Sequence, residues 1–262
     1  AGQTFPLRKP TRRNGRFSEA MLIPGEAIHQ ALDSGKGSYV NGISTVPFEI
    51  ISRVDDRPIS HGQIFLIPRR GVSIISDIDD TIKDSQVGDR RELLANTFLR
   101  EFRSIDGMAD VYRQWAAQGA VFHYVSSSPW QLFEALTAIN TQLDFPVGTM
   151  HLRDFRLRDQ LLTRFMFRRN GKASVIRHLV ESMPDREFIL IGDSGEKDPR
   201  IYRKVCRRFP GRVRGVFIRS VAHRPFQEVH TSKLAESLPE GVVAGFDSAS
   251  ELMDTASELI ET

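Results

Sequence analysis

Three short runs in this sequence carry residues that could act together: Asp77-Ile78-Asp79-Asp80-Thr81, Ser126-Ser127-Ser128, and Gly192-Asp193-Ser194-Gly195-Glu196-Lys197-Asp198, with Lys172 between the last two. The steps from Asp77 to Ser126, Ser126 to Lys172 and Lys172 to Asp193 are 49, 46 and 21 residues. Carboxylates gathered in one crevice repel unless a cation joins them, and a hard, oxygen-ligated ion such as Mg²⁺ is the natural one. The chemistry this suits is phosphoryl transfer. Asp77 reads as metal ligand and nucleophile, attacking phosphorus to give an aspartyl-phosphate. Asp79, two residues on, reads as the acid that protonates the leaving oxygen and the base that then deprotonates water. Ser126 and Lys172 read as holding the equatorial phosphoryl oxygens, helped by free amides at a helix start capped by Ser128. Asp193 completes the metal site, and Asp198 supports it from behind. Each motif alone has an ordinary explanation as a helix cap, a surface lysine or a turn; their order and setting argue for the set. Asp80, Asp84 and Asp154 are read as turn or surface carboxylates without a role.

These side chains need a scaffold that brings them together. From Gly71 onward apolar strands alternate with amphipathic helices, the pattern of a parallel α/β sheet. Strands are expected over 72–76, 121–125, 150–152, 187–191 and 213–218. One helix runs from Gly107 to Gly119, where Met108, Val111, Tyr112 and Trp115 recur at helical spacing. Others start at Ser128-Pro129-Trp130, surround Ile176, Leu179 and Val180, and cover 199–208 and 249–260. Every motif but Lys172 follows an apolar strand, and open parallel sheets bind ligands at the carboxyl ends of their strands. Residues 1–70 differ: strand-like stretches at 46–53 and 62–68 flank a turn at Asp55-Asp56-Arg57-Pro58, and the Pro- and Gly-punctuated segment ahead shows no helical period. The expectation is a small β-rich module over 1–70 and a phosphatase domain over 71–262. The fold class expected of the latter is α/β, a Rossmann-like three-layer parallel sheet.

The runs Ser76-Asp77-Ile78-Asp79-Asp80-Thr81-Ile82-Lys83, Tyr124-Val125-Ser126-Ser127-Ser128-Pro129-Trp130-Gln131-Leu132 and Gly192-Asp193-Ser194-Gly195-Glu196-Lys197-Asp198-Pro199 resemble the catalytic domain of the actin-patch phosphatidate phosphatase family. That family lies within the haloacid dehalogenase superfamily of aspartate-nucleophile phosphatases. The likeness runs from about Gly71 to Val221 and includes Leu93-Leu94-Ala95-Asn96-Thr97-Phe98. It implies a haloacid dehalogenase fold, Mg²⁺-dependent conversion of phosphatidate to diacylglycerol and phosphate, and a β module ahead of the catalytic domain. With it, the expected metal set is Asp77, the backbone carbonyl of Asp79, and Asp193; Thr81, Ser127 and Ser128 are expected on the substrate. The family pattern has Asn where Ser127 stands, a departure that bears on phosphate or headgroup contacts and leaves the nucleophile untouched.

Composition bounds the alternatives. The 262 residues, 40% hydrophobic and 26% charged, exclude a disordered or fibrous chain. The single cysteine, Cys206, excludes an internal disulfide and a cysteine-based zinc site. Of the 36 basic residues 29 are arginine, and pairs such as Arg12-Arg13, Arg69-Arg70, Arg168-Arg169 and Arg207-Arg208 either form solvated faces or meet phosphate-bearing partners. They are scattered and no nucleic-acid-binding motif accompanies them, so nucleic acid is not an expected partner. The apolar runs are too short to span a membrane. The chain begins at Ala1 without a signal-peptide pattern, as a processed or excerpted chain does. A soluble or peripheral membrane protein is expected, with the compartment open and the cytoplasm favoured.

About 25 residues, 82–106, separate the first motif from the next helix, too few for a folded cap, so an open mouth is expected. The segment 155–172 mixes Phe155, Leu157, Phe165, Met166 and Phe167 with Arg156, Arg158, Arg164, Arg168 and Arg169. It is either a peripheral contact with anionic membrane or core residues flanked by arginines. Two further readings use the same residues: a phosphatase for a soluble phosphomonoester or phosphoprotein, and a phosphoacceptor or binding domain. Asp79 opposes the last, because an acid/base beside the phosphorylated aspartate would hydrolyse the phosphoaspartate that a signalling domain must keep.

Overall fold

Buried backbone amides and carbonyls must find partners, and this chain pairs its own in two separate sheets. The computed structural model describes residues 3–10, 19–40, 43–79, 81–82, 104–153, 171–195, 197–221 and 242–260. The chain divides into two compact units, Ala1–Ile67 and Pro68–Thr262.

The first unit contains helix α1 (Gly25–Asp33) and strands β1 (Ser38–Val40), β2 (Ile43–Ile51) and β3 (Pro58–Leu66). The strands form an antiparallel sheet in the order β1-β2-β3. In the β2–β3 turn the Ser52 N–H donates to the Arg57 carbonyl at 2.9 Å, and Asp56 takes φ 52°, a left-handed conformation that aspartate tolerates. Ile43, Thr45 and Val46 are buried. Helix α1 corrects the expectation of a segment without helix. Pro24 precedes it and Gly35, at φ 71°, follows it, so the same Pro and Gly that read as strand punctuation bound a run of good helix formers.

The second unit contains, in order, β4 (Gly71–Ser76), α2 (Met108–Ala117), β5 (Val121–Pro129), α3 (Phe133–Gln142), β6 (Gly148–Arg153), α4 (Lys172–Ser182), β7 (Arg186–Asp193), α5 (Asp198–Arg208), β8 (Val213–Arg219), β9 (Val243–Phe246) and α6 (Ala249–Ala256). Six parallel strands lie in the order β6-β5-β4-β7-β8-β9. The chain winds outward from β4 to β6, returns, and winds outward the other way from β7 to β9. The direction reverses between β4 and β7, and that switch point is where a doubly wound sheet opens a crevice.

Strands β4 and β7 carry apolar side chains of both parities because helices cover both faces of the sheet. Ile74, Ile189 and Ile191 pack with Met108, Val111 and Trp115 of α2, Leu136 of α3 and Leu252 of α6. Ile75, Phe188 and Leu190, of opposite parity, pack with Ile176 and Val180 of α4 and with Tyr202 and Val205 of α5. Two cores, one on each side of the sheet, make three layers. The expected α/β three-layer parallel sheet with a small β module is therefore the fold observed.

Two element boundaries depart from expectation. Strand β9 was not foreseen, because its four residues are short and interrupted by Gly245. Strand β5 extends to Pro129, which pairs with Arg153 of β6. A single 3₁₀ turn at Trp130–Leu132 follows, α3 starts only at Phe133, and neither start has a side-chain cap. Ser128 therefore caps no helix.

Candidate active site

Asp77 is the first residue beyond β4, and its N–H prolongs the β4–β7 ladder by donating to the Ile191 carbonyl at 2.9 Å. Its side chain therefore leaves the sheet at the switch point, in a position set by backbone pairing. Asp193 ends β7 and Asp198 begins α5. The three carboxylates are buried, and each offers an oxygen within 4.8 Å of the others'. Gly192 makes this closeness possible: a Cβ there would lie 2.3 Å from Asp198 Oδ2 and 2.7 Å from the Tyr202 hydroxyl.

Lys172 opens α4 and reaches into this cluster. Its Nζ lies 2.7 Å from Asp77 Oδ1 and 2.6 Å from Asp198 Oδ2, with the lysine side chain 4% exposed. Asp198, expected behind the site, thus stands within the acidic cluster, and its Oδ1 has no hydrogen-bond partner among the described residues. Burial, together with the charges of Asp198, Asp77 and Asp193, drives the Tyr202 phenol well above its ordinary range. Tyr202 stays a neutral phenol that donates a hydrogen bond to the Ile191 carbonyl at 2.8 Å.

A second group forms around Asp79. Its Oδ2 accepts from Ser126 Oγ and from Ser128 Oγ, both at 3.0 Å, and the Ser128 N–H donates to Ser126 Oγ at 2.9 Å. Successive residues of a strand point to opposite faces, so Ser126 and Ser128 share a face while the half-buried Ser127 does not. This is the physical reason Ser128 is an Asp79 partner and not a helix cap. Thr81 is fully buried, and its Oγ1 has no hydrogen-bond partner among the described residues.

The site thus joins Asp77, Asp193, Asp198 and Lys172 in one group, and Asp79, Ser126 and Ser128 in another, with Ile78 alone between Asp77 and Asp79. Asp80, Asp84, Asp154, the motif over 93–98 and the arginines between 156 and 169 lie outside the described residues. Gly192 stood in a quoted motif without a role, and Tyr202 was not singled out in the sequence. A glycine beside a motif aspartate and a tyrosine one helical turn after Asp198 are the only signals they leave.

Three buried aspartates that can share one ion form an all-oxygen donor set suited to a hard cation, and the Asp198 Oδ1, without a hydrogen-bond partner among the described residues, is one of the oxygens available to it. Among the described residues no helix is long and apolar enough to cross a membrane.

A doubly wound sheet with aspartates converging at its switch point defines a class of α/β domain that binds ligands at the carboxyl ends of its strands. Residues 72–220 match the family described as Phosphatidate phosphatase APP1, catalytic domain, and the chain belongs to that family. It is 36% identical over 165 residues to an uncharacterized protein of Schizosaccharomyces pombe, covering 61% of this chain and 27% of that one. It is likewise 36% identical over 153 residues to Phosphatidate phosphatase APP1 of Saccharomyces cerevisiae, covering 57% of this chain and 26% of that one. The matched region spans about a quarter of each of these relatives.

Proposed function

We propose that this domain hydrolyses phosphatidate to diacylglycerol and phosphate through an aspartyl-phosphate on Asp77, with Mg²⁺ as cofactor. The observation that carries the reading is the meeting of Asp77, Asp193, Asp198 and Lys172 at the switch point; family membership supports the substrate. Asp77, Asp193, Asp198 and the Asp79 carbonyl are the oxygens that would hold Mg²⁺, which when bound offsets the charge of the carboxylates and of the phosphoryl oxygens.

In the first step a carboxylate oxygen of Asp77 bonds to phosphorus while the ester P–O bond breaks. The glycerol oxygen leaves with a proton from Asp79, forming diacylglycerol. In the second, water attacks the same phosphorus, its proton passes to Asp79, and phosphate departs with Asp77 restored. The two serine hydroxyls on Asp79 hold its carboxyl in one orientation, so it can serve both proton transfers. Lys172 neutralises charge beside Asp77 and is proposed to hold phosphoryl oxygens, joined by Ser126 when its one hydroxyl proton turns from Asp79 to the substrate and leaves Ser128 to orient the carboxyl. We further propose peripheral contact with an anionic membrane, where such a substrate resides.

The test is phosphate release from phosphatidate in mixed micelles beside a soluble aryl phosphomonoester, with the intact protein and Asp77→Asn, with and without a chelator. Preferential release from phosphatidate that needs Mg²⁺ and is lost in Asp77→Asn is the expected result. Cleavage of the soluble ester alone would overturn the lipid substrate and keep the aspartate chemistry. An active Asp77→Asn would overturn the nucleophile.

A further inference from the structure

We propose that Trp130 and Arg153 form a lipid-contacting rim at the mouth of the site. The indole enters the interfacial layer of a bilayer that carries phosphatidate, and the guanidinium meets its anionic headgroups. This inference rests on the phosphatidate reading and adds the residues that bring the catalytic crevice to the lipid.

Trp130 stands two residues beyond Ser128, whose hydroxyl holds Asp79. That is about 7 Å of chain at most, so the indole sits at the same end of the sheet as the catalytic groups. It is 46% exposed, whereas the protein's other tryptophan, Trp115, is 0% exposed in the core. The exposed ring stacks on Phe133, centroids 4.8 Å apart and planes 25° from parallel, which orients it without burying it. The neighbouring position is basic: Pro129, just before Trp130, pairs with the exposed Arg153 at the end of β6.

An exposed indole and an exposed arginine on adjoining strand ends match the two parts of an anionic lipid. Tryptophan favours the layer where apolar chains meet wet headgroups, and arginine pairs with phosphate through parallel hydrogen bonds. A soluble phosphomonoester brings no acyl chains and no interfacial layer for the indole to enter, so the rim distinguishes substrates by their setting and not by the reacting bond.

Fluorescence tests this in the intact protein, since only Trp130 of the two indoles is within reach of lipid. Phosphatidylcholine vesicles containing phosphatidate with brominated acyl chains are expected to quench the emission of one indole, and Trp130→Phe is expected to remove the quenchable signal. In kinetics, Trp130→Ala and Arg153→Glu are each expected to raise the vesicular phosphatidate concentration for half-maximal hydrolysis about tenfold. Hydrolysis of the soluble aryl phosphomonoester should stay within about twofold. Vesicles that the intact protein hydrolyses without quenching would overturn the rim, as would equal losses on both substrates. Quenching without phosphatidate hydrolysis would overturn the substrate reading and leave the rim standing. If Trp130→Ala does not fold, quenching of the intact protein and the kinetics of Arg153→Glu decide.

Discussion

Lys172 holds two buried carboxylates, Asp77 at 2.7 Å and Asp198 at 2.6 Å, in a place where water cannot replace it. Removing one partner of a buried ion pair leaves charge without compensation, so Lys172→Met is expected to cost about 3–5 kcal/mol of stability, measured by urea unfolding in the presence of chelator. A loss below about 1 kcal/mol would show that the lysine serves phosphate binding and not the folded state. At this scale much of the site was legible. Asp77, Asp79, Asp193 and Lys172 stood out because few side-chain types suit phosphoryl chemistry, and the fold brings Asp77, Asp193 and Lys172 into one buried cluster with Asp79 two residues from Asp77. Ser128 was legible as a hydroxyl beside the site, but its partner was not, since strand and helix start assign its side chain to different neighbours. Asp198 moved from a supporting place into the cluster because Gly192 lets α5 approach, a distance that no spacing along the chain encodes.

Between elements, a polar line crosses four strands beneath the crevice. His123 of β5 meets Thr149 of β6 through Nδ1 at 2.7 Å and Ser73 of β4 through Nε2 at 3.3 Å. Ser73 accepts from Arg186 Nε of β7 at 2.8 Å. Burial, with added repulsion from His151 and Arg186, lowers the His123 imidazole from 6.5 to about 3. As pH falls below 6.5 the unfolded chain takes up this proton and the native chain does not. Stability is therefore undiminished above about 6.5 and declines as pH drops toward about 3, by up to about 1.4 kcal/mol per pH unit from this residue. Comparing urea unfolding at pH 6.5 and 5.0, the wild-type chain is expected to lose more stability than His123→Gln; equal slopes would show that His123 is protonated in the fold. The elements themselves were read where their periods are strong. Helix α2 was legible from Met108, Val111, Tyr112 and Trp115, which are all buried. Helix α1 and strand β9 were not, because the prolines and glycines around α1 read as turns and β9 is only four residues with a glycine inside it.

For the whole molecule, every site residue lies in the unit that begins at Pro68. Arg186, 1% exposed, donates to the carbonyls of Pro68, Arg70 and Val72, so the entry of the chain into β4 belongs energetically to the larger unit. The sequence changes texture at Gly71, and a chain cut there loses the Pro68 and Arg70 acceptors. A chain starting at Pro68 is expected to unfold cooperatively and to cleave the soluble phosphomonoester. One starting at Gly71 is expected to be less stable by about 1–3 kcal/mol by urea unfolding; equal stabilities would show that the guanidinium finds other acceptors. By itself the sequence determined the residue chemistry, the strand and helix alternation, and the family, because side-chain type and hydrophobic period are local properties. Tertiary structure alone decided the strand order, the serine pair on Asp79, and the entry of Asp198 into the cluster beside Lys172. Those depend on which strands lie side by side and how closely a helix approaches them, and such contacts join residues far apart in the chain.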